Sequence, residues 1–135
     1  MTKMSISYSG KLRCEATHNQ SGSRLQTDAP LDNNGKGETF SPTDLLATAL
    51  ATCIITVMGI SAEKSGFTLG KVNANIEKIM GTEPRRVQEV RVQLQFAGMA
   101  YSEKERGILE RAALNCPVAK SLNQDLIQAV KFVYM

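Results

Sequence analysis

The chain has 135 residues, enough for one domain with a substantial core and too few for two. Its 42% hydrophobic and 21% charged residues are ordinary for a globular protein, and 16 Lys+Arg against 13 Asp+Glu leave a net charge of +3. That small excess, with no basic run or aromatic-interleaved patch, argues against nucleic acid as a partner.

The N-terminus alternates like a strand and lacks the apolar run of a signal peptide. Residues 4–17 alternate loosely, with Leu12, Cys14 and Ala16 on one face and Lys11, Arg13 and Glu15 on the other. Asn19-Gln20-Ser21-Gly22 is a turn signal, and Arg24 to Thr27 form a short second or third strand. Residues 28–40 are rich in Asp, Asn, Gly and Pro and lack periodicity, which predicts a loop that is functional or mobile and not filler.

Ser41-Pro42-Thr43-Asp44 is a strong helix start: Ser41 caps, Pro42 suits the first helical position, and Asp44 completes a capping-box-like arrangement. The helix is predicted to run to about Lys64 and to stop at Ser65-Gly66. Its residues leave almost no polar face, so it must be buried on several sides, which is hard in so small a chain without a second subunit. A transmembrane helix needs about 20 mostly apolar residues. The stretch 45–60, interrupted by Thr48, Thr52, Thr56 and Gly59, is shorter, so the expected location is the cytoplasm with no membrane partner.

Two alternating patterns follow, Val72, Ala74, Ile76 and then Val90, Val92, Leu94, Phe96, joined by a hairpin loop near Gly81-Thr82-Glu83-Pro84. Ser102-Glu103-Lys104-Glu105 opens a second helix to about Leu114. Cys116-Pro117 starts a short third helix to about Leu122, and Val130, Phe132 and Tyr134 read as a last strand. The grouping predicts an α+β protein with an antiparallel sheet, as a single domain over residues 1–135.

Three widely spaced cysteines and one histidine, His18, form neither a disulfide framework nor a supported zinc site, and no cofactor motif is present. What remains is thiol chemistry or inert buried thiols. Cys53, in the middle of the apolar helix, reads from composition as a small core residue whose burial would leave it unreactive. Cys116 sits at or near a helix N-cap, where unpaired N–H groups and the helix dipole lower a thiol pKa, so spacing alone makes it the more acidic of the two. Cys14 lies on the apolar face of its strand and reads as structural, and His18, beside a turn, as a surface residue.

The segment Ser41-Pro42-Thr43-Asp44-Leu45-Leu46-Ala47-Thr48-Ala49-Leu50-Ala51-Thr52-Cys53 resembles the central-helix motif of the OsmC and organic hydroperoxide resistance family. Asn115-Cys116-Pro117-Val118-Ala119-Lys120-Ser121-Leu122 resembles its second motif, and Gly66-Phe67-Thr68 before a strand also fits. The resemblance implies an OsmC-like fold of antiparallel sheets around a long buried central helix, as an intertwined homodimer. It also implies a peroxidase in which Cys53 attacks an organic hydroperoxide, Cys116 resolves the sulfenic acid as a disulfide, and a lipoyl-type dithiol reduces it. It further implies an arginine beside the peroxidatic cysteine, for which Arg13, following Tyr8-Ser9-Gly10, is favoured over Arg24. The family's glutamate, ten residues before the cysteine, is replaced here by Thr43; Asp44 lies about 100° further round the helix, and Glu38 in the loop is a candidate substitute. Two other functions compete: a non-catalytic dimeric protein binding a small hydrophobic ligand, and a thiol–disulfide redox regulator.

Overall fold

A computed structural model describes all residues 1–135. The chain forms two compact units, Met1–Leu46 and Ala47–Met135, with the first long helix running across the boundary.

The N-terminal unit is built on a three-stranded antiparallel sheet of β1 (Met4–Tyr8), β2 (Arg13–His18) and β3 (Arg24–Asp28), in the order β1-β2-β3. The alternating stretch 4–17 is therefore two strands, because residues 9–12 turn. Gly10, Lys11 and Leu12 take φ of 91°, 57° and 63°, three successive left-handed residues, and Arg13 N–H closes the turn on the Gly10 carbonyl at 3.2 Å. Only glycine adopts that region freely, so Lys11 and Leu12 hold a costly backbone just before β2. After β3 the loop contains a single 3₁₀ turn at Leu31–Asn33.

The capping box that opens helix α1 (Pro42–Lys64) forms as its sequence predicts. Ser41 Oγ accepts from Asp44 N–H at 3.1 Å, and Asp44 Oδ2 accepts from Ser41 N–H at 2.9 Å. At the other end Gly66 takes φ +82° and Phe67 N–H bonds to the Ala62 carbonyl, satisfying the last turn. Within one chain α1 buries one stripe, Ala47, Leu50, Ala51, Ile54, Met58 and Ala62. Its opposite side, with Ala49, Thr52, Thr56 and Ile60, is exposed. The Thr52 and Thr56 hydroxyls donate back to carbonyls one turn earlier, so that side presents methyl groups. At 23 residues with a window of mean hydropathy 2.1, α1 is long and apolar enough to cross a membrane, contrary to the shorter stretch read from the sequence. Its buried stripe makes it a core helix, which passes the same test of length and composition.

The second sheet, ordered β4-β5-β6, comprises β4 (Val72–Gly81), β5 (Arg86–Phe96) and β6 (Ile127–Tyr134). Val90, Val92, Leu94 and Phe96 of β5 face inward and share the core with the α1 stripe and with Leu109 and Ala113 of α2 (Glu103–Leu114). β4 and β5 extend beyond their legible alternation because the register shifts between Ile79 and Met80, and the bulge breaks the period of two. β4 and β5 pair antiparallel as expected, whereas β6 runs parallel to β5. The reason is the connection: α2 and α3 (Pro117–Ser121) intervene, and such a crossover returns the chain to the end where it began. Phe96 stacks on Tyr134 with ring centroids 4.6 Å apart, closing the sheet's end.

These contacts rank two substitutions. Leu50→Ala opens a cavity in the core and is expected to cost about 2–5 kcal/mol. Ser102→Ala removes the α2 capping box, whose two bonds are both made, and is expected to cost about 1 kcal/mol. Chemical denaturation of each variant checks the order, and an equal loss from both would contradict this core.

Candidate functional site

Cys53 lies on α1 beside the buried Ile54, at the margin between the buried stripe and the open side, and is half-buried. Cys116 is wholly buried, in the core that also receives Cys53. It is the N-cap of α3, with extended backbone (φ −68°, ψ 149°) and Pro117 at the first helical position. Its Sγ accepts from Ala119 N–H at 3.3 Å. The two thiols lie near enough for each to feel the other's charge, so residues 63 positions apart in sequence converge on one core. All three cysteines are free.

The predicted acidity of Cys116 is overturned, although its predicted cap geometry is correct. Burial pushes its thiol above the ordinary value; the Ala119 N–H opposes that rise, and the adjacent Cys53 sulfur reinforces it. A five-residue helix supplies only a weak dipole and few free N–H groups, so desolvation wins over the cap. The pair thus consists of one thiol with partial access to solvent and one withheld from it.

Arg13 belongs to the N-terminal unit, at the start of β2. Its Nη2 donates to Asp28 Oδ2 at 3.2 Å and lies 3.5 Å from Glu38 Oε1. It is therefore held between two carboxylates, not freely solvated as its strand face alone suggests. Arg24 makes a more exposed pair with Glu15 at 3.0 Å. Glu38 reaches Arg13, as a substitute for the missing glutamate would have to. Thr43 lies in the first turn of α1, its Oγ1 3.2 Å from Ser41 Oγ, and Asp44 is occupied as the cap.

Asp28, which the composition of residues 28–40 places at the start of a loop, belongs instead to a strand. It is the buried acid at the end of β3, 2% exposed, and pairs in register with Arg13. Only the strand register, set by the turns at 9–12 and 19–23, reveals the pairing. Cys14 sits between Tyr8 and Thr27 on the neighbouring strands, consistent with a structural role. His18 is half-buried and pins the following turn through Nδ1 to Ser21 Oγ at 2.6 Å.

Accessibility predicts an order of modification. Iodoacetamide near neutral pH is expected to label Cys53 before Cys116, because Cys116 is buried and its thiol is held protonated. Because its folded-state pKa is raised, labelling of Cys116 increases only as pH climbs past the ordinary thiol range. Peptide mass mapping over time checks both, and early labelling of Cys116 at neutral pH would contradict this geometry.

A family model described as OsmC-like protein matches residues 35–129. No curated protein matches the chain. Among solved structures, a protein of Psychrobacter arcticus named for an osmotic stress induced and detoxification response is 45% identical. It has a TM-score of 0.91, over 98% of this chain and 96% of that one. An OsmC-like protein of Mycoplasma pneumoniae shares the fold at 17% identity and TM-score 0.81, over 100% of this chain and 97% of that one. The organic hydroperoxide resistance protein OhrB of Bacillus subtilis does so at 14% identity and TM-score 0.70, over 98% and 97%. The matched span takes in the end of the loop, the central helix with Cys53, β4, β5, the Cys116 cap and the start of β6, and the chain belongs to the OsmC-like protein family.

Proposed function

We propose that the protein is a thiol-dependent peroxidase acting on organic hydroperoxides, in the cytoplasm and in the service of oxidative stress defence. The convergence of the half-buried Cys53 on the core that holds the buried Cys116 carries this reading. An attacking thiol needs access to its substrate, and a resolving thiol needs to lie beside it. The name of the Bacillus subtilis relative, which shares this fold, points the same way.

In the proposed cycle the Cys53 thiolate attacks the terminal oxygen of R–O–OH and the O–O bond breaks. The alkoxide leaves and takes a proton to become the alcohol, and Cys53 becomes a sulfenic acid. Cys116 sulfur then attacks the Cys53 sulfur. Its proton and the sulfenic hydroxide leave as water, and a disulfide forms. A dithiol of the lipoyl class returns two electrons and two protons and is itself oxidised to its disulfide. Arg13 is the arginine assigned the catalytic role that the family resemblance implies, a positive charge of the kind that favours a thiolate and a developing alkoxide.

The protein works as a homodimer, with its 135 residues acting as one OsmC-like domain. The uncovered, methyl-presenting side of α1 supports this, because such a face is stabilised by burial against a second copy.

Two measurements test the reading. In stopped-flow mixing with cumene hydroperoxide, the wild type is expected to consume one equivalent rapidly and to lose two thiols. Cys53→Ser is expected to be inert, and Cys116→Ser to halt at the sulfenic acid, trapped by dimedone. Oxidation at the rate of a free thiol, indifferent to Cys53→Ser, would sink the peroxidase. Native mass spectrometry is expected to give a dimer without retained small molecule. A copurified hydrophobic ligand with inert thiols would instead favour a binding protein.

A further inference from the structure

We propose that Asp28 is the positioning residue for Arg13, binding the guanidinium and the loop 29–40 into one rigid unit. The inference rests on the role for Arg13 given above and names what holds that side chain in the absence of a glutamate at Thr43.

Asp28 is buried, yet its carboxylate is fully engaged. Oδ1 accepts from Ala29 N–H at 2.9 Å, and Oδ2 accepts from Glu38 N–H and from Arg13 Nη2, both at 3.2 Å. Its own N–H donates to the Phe40 carbonyl at 3.0 Å, so one residue ties down both ends of the loop. Within the loop Gly37 N–H bonds to the Ala29 carbonyl at 3.1 Å. Gly35 lies so close to Ala29 that a β-carbon there would fall 1.7 Å from its carbonyl oxygen. The loop therefore closes on itself around the carboxylate. Glu38 reaches the arginine because its backbone hangs from the same oxygen that accepts from Arg13.

This arrangement spends two acids on one nitrogen. Both Asp28 and Glu38 engage Nη2, leaving Nη1 and Nε of Arg13 without partners. A guanidinium has five N–H donors in a fixed fork, so clamping one corner aims the others. Beside it opens a cavity of about 370 Å³ to which Lys11 and Lys36 contribute like charges. Without Asp28 the arginine would have room to move and a reason to move. The Asp28 carboxyl is held below its usual range by the Glu38 N–H, with burial opposing and Arg13 assisting. A lowered acid pKa means that the clamp is in place above the ordinary aspartate range and fails only as pH falls through it.

The test compares second-order rates of Cys53 oxidation by cumene hydroperoxide in wild type, Arg13→Ala, Asp28→Asn and the double variant. Asp28→Asn is expected to slow oxidation by up to about 100-fold, the cost of a misplacement of about an ångström. The double variant is expected to be no slower than Arg13→Ala, although it is less stable than Arg13→Ala to denaturant. Asp28→Ser keeps a short acceptor for the loop N–H groups but loses its reach to Arg13. It should be slowed similarly and serves if Asp28→Asn does not fold. The proposal is overturned if folded Asp28 variants react like wild type while Arg13→Ala is slow. It is equally overturned if Asp28→Asn slows Arg13→Ala by the same factor as wild type, since that is a structural role alone. Arg13→Ala reacting like wild type would instead remove the role of Arg13 itself.

Discussion

The packing of the α1 stripe against the inner face of β5 is the contact on which the rest of the C-terminal unit depends. Ala47, Leu50, Ile54 and Met58 recur at helical spacing, and Val90, Val92, Leu94 and Phe96 recur at strand spacing. Both sets can be buried at once only if the helix lies over the sheet. That packing determines where Cys53 falls, at the edge of the buried stripe. The crossover through α2 and α3 then delivers Cys116 to the same core.

The two thiols show how position in a fold outweighs local motif. Cys116 has every local feature of an activated cysteine: an N-cap conformation, a following proline and a donated N–H. Yet it is withdrawn from water, and the cost of charging a desolvated sulfur exceeds what a helix of five residues returns.

In the N-terminal unit the corresponding economy is electrostatic. A strained turn sets the start of β2, the strand register brings Arg13 opposite Asp28, and the loop brings Glu38 onto the same guanidinium. Each of these depends on the one before. The loop that composition marks as functional or mobile is thus an ordered closure around one carboxylate.

Much of this protein was legible in its residues because the relevant physics is local. Caps at Ser41 and Ser102, the stop at Gly66, the inward face of β5 and the N-cap placement of Cys116 follow from neighbours within a few positions. The two cysteine motifs sufficed to identify the family. Tertiary structure decided the rest: the parallel pairing of β6, the bulge after Ile79, the convergence of the thiols, the burial that reverses the acidity of Cys116, and the grip of Asp28 on Arg13. Burial and strand register are set by residues far apart in the chain, and they alone determine how much water a charge loses and which charge it meets.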